Sequence, residues 1–370
     1  MTTPLQEIFE RFQIYGSFLE CRPYGSGHIN ETYVAAFSQS GTRLRYIFQR
    51  INHRIFQNPA AVMENILRVT DEAQRQLRAA RIPDPSRRSL QVIPSRTGEP
   101  FVQDPEGGFW RCYPFIEGAK TYDVIQTERQ AYQAARAFGE FQRLVANLPG
   151  GRLHETIANF HHTRSRFDRL RAAAEADAHG RLKEVQDEWN FFREREALSD
   201  VLLDLQAAGA IPERITHNDT KLNNVMIDNA TETAICVIDL DTVMPGLALY
   251  DFGDLVRTAT SPAAEDEKDV SKVRMQMPMF EALVSGYLSS ARGFLNETEI
   301  RHLAFSGKLI TFEIGIRFLT DYLEGDTYFK IKRPEHNLDR ARTQIALVRS
   351  IEEQEEEMNR LVERLATSSK

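Results

Sequence analysis

Features that mark several other classes of protein are scarce or absent in this 370-residue sequence. The three cysteines, Cys21, Cys112 and Cys236, are far apart and form no CxxC pair, so the sequence predicts neither a disulfide framework nor a zinc site and is typical of a reducing compartment. It also lacks HExxH and Gly-x-Ser-x-Gly motifs, which leaves metallohydrolase and serine hydrolase hypotheses without support.

Long apolar runs and basic clusters are missing too. No run approaches the roughly 20 apolar residues of a membrane span, and the opening residues MTTPLQEIFERF are amphipathic and acidic rather than typical of a signal peptide. A net charge of −7 without a Lys/Arg block argues against nucleic acid and membrane partners. The sequence therefore predicts a cytoplasmic protein with 42% hydrophobic residues, enough for a sizeable core.

The predicted elements are strand-rich first and helix-rich second. Residues 1–20 predict a short helix, residues 33–37, 44–51, 90–93 and 108–116 predict strands, and residues 60–80 predict a helix. The pattern is mainly helical from residue 127, with two helices in 163–208, a hairpin of strands 225–227 and 234–238, and a last helix at 338–365. This order predicts an α+β fold in two lobes, a nucleotide-binding N-lobe (1–116) and a helical C-lobe (117–370).

The residues that most strongly indicate chemistry are the loop 217–224, HNDTKLNN, and the strand 234–241, AICVIDLD. Phosphoryl transfer needs a carboxylate that accepts the proton of the acceptor and oxygen ligands that hold Mg²⁺ on the phosphates. The spacing His-x-Asp-x-x-x-x-Asn provides Asp219 as the base and Asn224 as a metal ligand. Asp239, at the end of an apolar strand one hairpin later, corresponds to the aspartate of the kinase Asp-Phe-Gly motif.

These segments, with residues 244–254 (MPGLALYDFGD), resemble the aminoglycoside phosphotransferase superfamily, and within it the bacterial N-acetylhexosamine 1-kinases. The resemblance runs nearly end to end and includes YGSGHIN at 24–30, RFLTDYLEGD at 317–326 and PEHNL at 334–338. It implies a protein-kinase-like fold, ATP and Mg²⁺ as cofactors, and phosphorylation of the anomeric hydroxyl of N-acetylglucosamine or N-acetylgalactosamine.

The resemblance also assigns further site residues. Gly25, Ser26 and Gly27 become a nucleotide loop, although a Gly-x-Gly is also a common hairpin turn. Tyr113 and Phe115 fall in the hinge that pairs with and sandwiches adenine. The implied sugar contacts are His28, Arg317 and Tyr328, with Asp219 as base. From the residues alone, His28 could equally be an exposed turn histidine, and Arg317 could form an ion pair with Asp321 four residues later.

One position departs from the general kinase pattern. Gln49 stands on the predicted strand 44–51 where a kinase has the lysine that grips the phosphates, so no ion pair to Glu64 can form through it. The N-acetylhexosamine 1-kinases also lack this lysine, and Arg50 or backbone N–H groups of the glycine loop are candidates to compensate. Lys221 is interpreted either as a catalytic cation near the γ-phosphoryl or as an exposed loop lysine. Asp241 either holds its turn or contacts a second metal.

The sequence thus predicts an enzyme that transfers a phosphoryl group from ATP to a sugar, with no nucleic acid or membrane partner, as a monomer or weak homodimer. An aminoglycoside, choline or other amino-alcohol kinase remains the alternative, because Glu313, Asp321, Glu324 and Asp326 could surround a cationic acceptor. A non-catalytic pseudokinase is a third hypothesis, motivated only by Gln49.

Overall fold

The computed structural model describes residues 4–25 and 29–368. The chain separates into two compact units: the first contains residues 1–121, 144–158 and 225–244, and the second contains 122–143, 159–224 and 245–370. The first unit therefore takes in the segments 144–158 and 225–244, which lie beyond the predicted lobe boundary after residue 116.

The first unit is built on a five-stranded sheet with the order β1-β2-β3-β5-β4 and antiparallel pairing throughout. Its strands are β1 (Ser17–Pro23), β2 (Glu31–Gln39), β3 (Thr42–Ile51), β4 (Val102–Gln103) and β5 (Phe109–Pro114). A short helix α1 (Pro4–Phe9) precedes the sheet and a long helix α2 (Pro59–Ala79) follows β3. Helix α2 begins where the Asn58 side chain accepts a hydrogen bond from the Ala61 backbone N–H, an N-cap with proline in the first turn.

One face of this sheet carries an aromatic core. Alternate residues of a strand point to opposite faces, so Phe48 of β3 and Trp110 and Cys112 of β5 lie on the same side and pack with Phe9 of α1. Phe9 stacks on Phe48 at a centroid distance of 3.9 Å. The opposite face of β3 and β5 therefore presents Gln49, Arg111 and Tyr113, and this face matters for the site.

A smaller three-stranded sheet completes the first unit, with the order β6-β8-β9. Its strands are β6 (Ala119–Lys120), β8 (Val225–Asp228) and β9 (Ala234–Val237), and the last two form a hairpin. A single 3₁₀ turn at Leu240–Thr242 follows β9. The chain thus leaves an apolar, buried strand and immediately enters a tight turn that contains Asp239 and Asp241.

The second unit is helical. Its helices are α3 (Glu128–Val145), α4 (Thr163–Ala176), α5 (Gln186–Glu194), α6 (Val201–Ala207), α7 (Ala248–Ala259), α8 (Met277–Ala291), α9 (Glu297–Arg301), α10 (Leu303–Leu323) and α11 (His336–Ser368). Two short strands, β7 (Arg214–Thr216) and β10 (Met244–Gly246), pair beside them. Helices α4, α5, α10 and α11 enclose an apolar core, with Phe167, Phe192 and Phe312 fully buried.

Helices α7 and α10 approach each other closely through glycines. A Cβ atom on Gly253 of α7 would lie 2.4 Å from the Ser306 carbonyl oxygen, and one on Gly307 of α10 would lie 2.5 Å from a Val256 methyl group. Real Cβ atoms do not make such contacts, so a side chain at either position would force the helices apart. The two helices that carry much of the candidate site are therefore packed backbone to backbone.

The predicted α+β plan is confirmed, together with the strands at 33–37 and 44–51, the helix at 60–80 and the hairpin at 225–238. The strand predicted at 90–93 is wrong: Ile93 donates one backbone hydrogen bond to Cys112 but no ladder continues. The first helix already ends at Phe9, and residues 163–208 form three α-helices rather than two. In the described part of the chain, no helix combines the length and apolarity that crossing a membrane requires.

Candidate active site

The loop that follows β7 is held by a buried carboxylate of α7. Asp251 is fully buried and accepts hydrogen bonds from the backbone N–H groups of His217 (2.9 Å) and Asn218 (2.7 Å) and from the Gln142 amide (2.6 Å). Its backbone carbonyl accepts from the Thr220 hydroxyl at 2.6 Å. These bonds fix the loop on both sides of Asp219 and leave the Asp219 side chain half-buried rather than enclosed.

The neighbouring Asp254 adds a second anchor one turn later on α7. It accepts from the Thr220 backbone N–H at 2.9 Å and forms an ion pair with the buried Arg257, also at 2.9 Å. Asn218 adopts a left-handed backbone conformation with φ of 66°, which asparagine tolerates better than most residues. Such backbone conformations persist where surrounding contacts determine them, and they concentrate at functional sites.

Three residues of the predicted catalytic loop come together. The Lys221 ammonium lies 2.6 Å from Asp219 Oδ1, and the Asn224 amide nitrogen donates to Asp219 Oδ2 (3.2 Å) and to the Asp219 backbone carbonyl (2.9 Å). Lys221 therefore contacts the candidate base directly while its side chain is partly exposed, and its catalytic role stays a prediction. The two donations from Asn224 use its amide nitrogen, so the amide oxygen is the atom available as a metal ligand.

The charges around Asp219 keep it ionised. Burial acts to raise the pKa of the Asp219 carboxyl, but the adjacent Lys221 ammonium, with His217 and Arg257, outweighs burial and holds the pKa below its ordinary value. The pKa of Lys221 is raised, because Asp219 and Asp254 oppose the effect of burial. At neutral pH this loop therefore carries a carboxylate beside an ammonium.

A second layer behind the loop involves a histidine that sequence analysis did not single out. His161 is buried; its Nε2 lies 3.2 Å from the Asn218 carbonyl oxygen and its Nδ1 lies 2.8 Å from Glu313 Oε1 on α10. The other Glu313 oxygen accepts from the Thr163 hydroxyl at 2.6 Å. The loop 217–224 is thus connected through His161 to the helix that carries Arg317 one turn further on.

Arg317 and Tyr328 lie in one depression of the helical unit, which we term the arginine pocket. It is lined by Arg166, Arg169, Arg317, Thr320, Asp321, Glu324, Tyr328 and Phe329. The Arg317 guanidinium lies 5.9 Å from the centre of the exposed Tyr328 ring, and also over the rings of Phe160 and Phe329. Among described residues it forms no ion pair, so the alternative of a pair with Asp321 is not what the structure shows.

The carboxylates of Asp321, Glu324 and Asp326 all bind groups other than Arg166 and Arg317. Asp321 accepts from the backbone N–H groups of residues 327, 328 and 329 and from Asn337. Glu324 pairs with Arg169, at 2.9 Å from its Nε, and Asp326 pairs with Arg181 at 2.7 Å. By contrast, burial lowers the pKa of Arg166, and the positive charge of Arg317 lowers it further.

In the sheet unit, the two aspartates after β9 have different environments. Asp239 is exposed and adopts a left-handed conformation with φ of 61°. Asp241 is buried; one of its oxygens bonds to Arg111 and the other accepts from the Asn30 amide at 2.6 Å. The Thr156 hydroxyl donates to the Asp241 carbonyl at 3.0 Å. Of the two roles considered for Asp241, these contacts favour holding the turn.

The residues at the position of the missing lysine separate onto two faces of the sheet. Gln49 accepts from Arg111 Nε at 3.0 Å and donates to the Thr32 hydroxyl at 3.1 Å. Arg50 points to the opposite face and forms an ion pair with Asp104 at 3.2 Å. Arg50 is thus not brought together with Gln49, and its role as a compensating phosphate ligand gains no support from these contacts.

The remaining predicted nucleotide contacts lie near the end of β5 and in the segment of the sequence between β1 and β2. Tyr113 is buried and burial raises the pKa of its hydroxyl, whereas Phe115 packs between the Tyr24 ring (5.5 Å) and the Arg45 guanidinium (3.8 Å). Gly25 has a φ of 83° with open space where a side chain would stand. The predictions for Ser26, Gly27 and His28 lie outside the described residues.

The oxygen ligands present suit magnesium. In the described ranges, no group of three or more His, Cys, Asp or Glu is arranged to hold a metal ion. Mg²⁺ commonly takes only one or two protein ligands and completes its shell with phosphates and water. The amide oxygen of Asn224 in the helical unit and the exposed carboxylate of Asp239 in the sheet unit are hard oxygen ligands of the kind it prefers, so each group fits the ion chemically.

Sequence analysis missed three residues that the structure makes important. Asp251 occurred within the quoted run 244–254, and its signal was a charged residue inside an apolar helix. Arg111 gave the same signal inside an apolar strand. No feature of the sequence pattern marked His161, which is buried and precedes α4. A charge in an apolar segment is rarely left without a partner, and this rule could have found the first two.

Comparison with known proteins supplies a family and a fold. The model of a family described as the phosphotransferase enzyme family matches residues 20–272. An aminoglycoside phosphotransferase from Alicyclobacillus acidocaldarius is similar in structure, with 13% identity, a TM-score of 0.59, and coverage of 98% of this chain and 95% of the other. A choline kinase from Cryptosporidium parvum is similar with 15% identity and a TM-score of 0.53, and the match covers 96% of this chain and 95% of the other. A spectinomycin phosphotransferase, solved with ADP and spectinomycin, is similar with 14% identity and a TM-score of 0.52, and the match covers 89% of this chain and 91% of the other. The shared fold is kinase-like, with a β-sheet N-terminal part and a helical C-terminal part, as predicted.

Proposed function

Because the chain belongs to the phosphotransferase enzyme family, we propose that it is an ATP-dependent sugar kinase that phosphorylates the anomeric hydroxyl of an N-acetylhexosamine. The observation that carries the proposal of catalysis is the ionised, half-buried Asp219 held between Lys221 and Asn224. A general base must carry its negative charge at the working pH and must remain reachable by the acceptor. An intact loop of this kind also argues against a pseudokinase.

In the proposed reaction, Asp219 accepts the proton of the anomeric hydroxyl while the hydroxyl oxygen bonds to the γ-phosphorus of ATP. The bond from that phosphorus to the β,γ-bridging oxygen breaks, which yields the sugar 1-phosphate and ADP. Lys221, 2.6 Å from Asp219, would lower the cost of negative charge on the transferring group. Asn224 and Asp239 would hold Mg²⁺, which when bound neutralises charge on the phosphates. ATP as the donor is supported by the ADP in the spectinomycin phosphotransferase of the same fold.

The choice of a sugar over a cationic acceptor rests on the arginine pocket. Arg166 and Arg317 have no ion-pair partner among described residues, whereas the acidic residues that could attract a cation are already bound to His161, Arg169, Arg181 or backbone N–H groups. A cationic amino alcohol would therefore meet net positive charge, but the hydroxyl and carbonyl oxygens of a sugar can accept from a guanidinium fork. Tyr328 offers an exposed ring that a sugar face can cover.

A substrate panel tests the proposal. We expect ADP release with MgATP and N-acetylglucosamine or N-acetylgalactosamine, and phosphorus NMR should show a phosphate on the anomeric oxygen. Little release is expected with choline, ethanolamine or an aminoglycoside. Asp219→Asn protein purified in parallel is the control, because ADP release that persists with it comes from a contaminating kinase. Turnover of choline or an aminoglycoside in preference to every sugar would replace the proposed acceptor by the alternative one.

A further inference from the structure

Arg111 lies opposite Gln49, the residue at the position of the kinase lysine. In the β3–β5 ladder Gln49 is paired with Arg111, and both side chains lie on the face that does not carry the aromatic core. The Gln49 amide oxygen accepts from Arg111 Nε at 3.0 Å, and its nitrogen is committed to Thr32. Gln49 thus orients a guanidinium on the neighbouring strand, instead of presenting a cation itself.

The guanidinium is directed at the turn after β9. Arg111 is 1% exposed and forms an ion pair with Asp241 Oδ1, while Asn30 holds the other oxygen of the same carboxylate at 2.6 Å. The Asn30 amide oxygen in turn accepts from the Asn52 backbone N–H at 3.0 Å. A buried ion pair is rarely retained for stability, because desolvation of both charges consumes most of the Coulombic gain. A positional role for this pair accounts better for its presence.

The position being controlled is that of Asp239. This residue lies two positions before Asp241, in the same turn, and is exposed with a left-handed backbone. Burial acts to lower the pKa of Arg111, but the charge of Asp241, and to a smaller extent that of Asp239, raises it. Outer hydrogen-bond partners that orient a metal ligand commonly change metal affinity by about 10–100-fold when removed.

We propose that Arg111, oriented by Gln49, is the positioning residue that replaces the usual strand lysine: it clamps Asp241 and so sets the Asp239 turn to hold the metal–nucleotide complex. The inference rests on the proposed function, since it assumes that Asp239 is a metal ligand. In this arrangement the cation lies at position 111 on β5, where it fixes the turn of Asp239, and not at position 49 on β3, where a kinase lysine grips phosphate. Arg111 therefore acts on Mg²⁺ binding, and its removal leaves sugar binding in the helical unit unchanged.

The first test measures the increase in melting temperature that ADP produces with Mg²⁺ and with EDTA. For the wild type we expect a larger increase with Mg²⁺. For Arg111→Met the extra increase should vanish at the same Mg²⁺ concentration and return only at a concentration about 10–100-fold higher. Arg111→Lys, which keeps the charge but loses the fork, should lie in between. Lys308→Met removes an ion pair of the helical unit, between the buried Lys308 and the partly exposed Glu355 of α11, and should keep the wild-type response.

A double variant separates positioning from stability. Replacing a buried ion pair by apolar side chains is often neutral for folding, so Arg111→Met/Asp241→Leu should fold even where the single variant does not. It should still need the higher Mg²⁺ concentration, while its KM for sugar stays at the wild-type value. A wild-type Mg²⁺ response in this variant overturns the inference and leaves the proposed kinase intact. A wild type that shows no Mg²⁺-dependent response to ADP overturns both.

Discussion

The loop 217–224 of the helical unit and the turn after β9 in the sheet unit are each held in place by a buried aspartate, but the partners of that aspartate differ. Each presents one aspartate to the surroundings, next to or within left-handed backbone, and each holds a second aspartate in the interior. In the loop, the buried Asp251 comes from another element and binds backbone N–H groups. In the turn, the buried Asp241 belongs to the turn itself and binds the side chains of Arg111 and Asn30.

The difference indicates which side-chain replacements should change the shape of each part of the site. A loop whose backbone N–H groups are held by Asp251 tolerates replacement of the Asp219 side chain, because Asp251 bonds to the backbone of His217 and Asn218 and not to that side chain. A turn fixed through side chains depends on each partner, and a single replacement changes its shape. The following predictions use this contrast, and they run from the largest expected effect to the smallest.

The largest effect is expected for Asp219, the half-buried aspartate of the loop. Asp219→Asn removes the base and should lower kcat by about 10²–10⁴-fold, since this is the usual contribution of a positioned base. Because Asp251 holds the loop by its backbone, the variant should keep the wild-type melting temperature and ATP affinity. Steady-state kinetics and calorimetric titration with ATP measure both. Near wild-type turnover would show that another group takes the proton.

Removing the anchor should instead affect folding. Asp251→Ala leaves three buried donors without an acceptor, and each such donor costs about 1–3 kcal/mol, so the free energy of unfolding should fall by about 3 kcal/mol or more. Urea unfolding of both proteins measures the change. Asp204→Ala, which truncates an exposed carboxylate on α6, should remain within about 0.5 kcal/mol of the wild type. Equal losses in the two variants would remove the special role of Asp251.

The arginine pocket should affect the acceptor and not the nucleotide. Arg317→Met should raise the KM for sugar by about 10-fold, the value of roughly one charged hydrogen bond, and leave the KM for ATP unchanged. Arg317→Lys should recover only part of the loss, because a lysine cannot present two parallel donors. Arg360→Met, at an exposed site on α11, serves as the control. An equal rise in both KM values would mean that Arg317 supports the fold instead of the acceptor.

The smallest effect concerns the pH dependence of the base. Lys221 holds the pKa of Asp219 below its ordinary value, so the acid limb of the kcat profile should lie at low pH in the wild type. In Lys221→Met the opposing effect of burial remains, the pKa of Asp219 rises, and the acid limb should move to higher pH. Lys221→Arg retains a positive charge and should leave the limb nearly in place. A shift to lower pH, or none, would contradict the assignment of the limb to Asp219.

The sequence predicted the parts of this molecule that depend on local pattern. The alternation of residues 44–51, the asparagine–proline start of α2 and the hairpin after the catalytic loop are encoded within a few residues, and each was recovered. The extended segment 90–93 was not, because an apolar run looks the same whether or not a neighbouring strand completes its ladder. Its status is decided by residues more distant in sequence.

The candidate site divides in the same way. Asp219, Lys221 and Asn224 are close in sequence, and the structure brings them together as the loop motif indicated. The partners of Asp241 come from residues 30, 111 and 156, and those of Glu313 from residues 161 and 163, so no short motif contains them. Arg50 was considered as a substitute for the missing lysine, but strand alternation directs it to the other face.

The glycine contacts between α7 and α10 have a consequence for altering this protein by design. The helix that anchors the loop and the helix that carries Arg317 touch with no spare space at Gly253 and Gly307. Neither helix can be displaced to admit a bulkier acceptor without breaking that contact. Variants selected for new substrates should therefore accumulate changes around Tyr328, in the segment after α10, while the helical frame itself stays untouched.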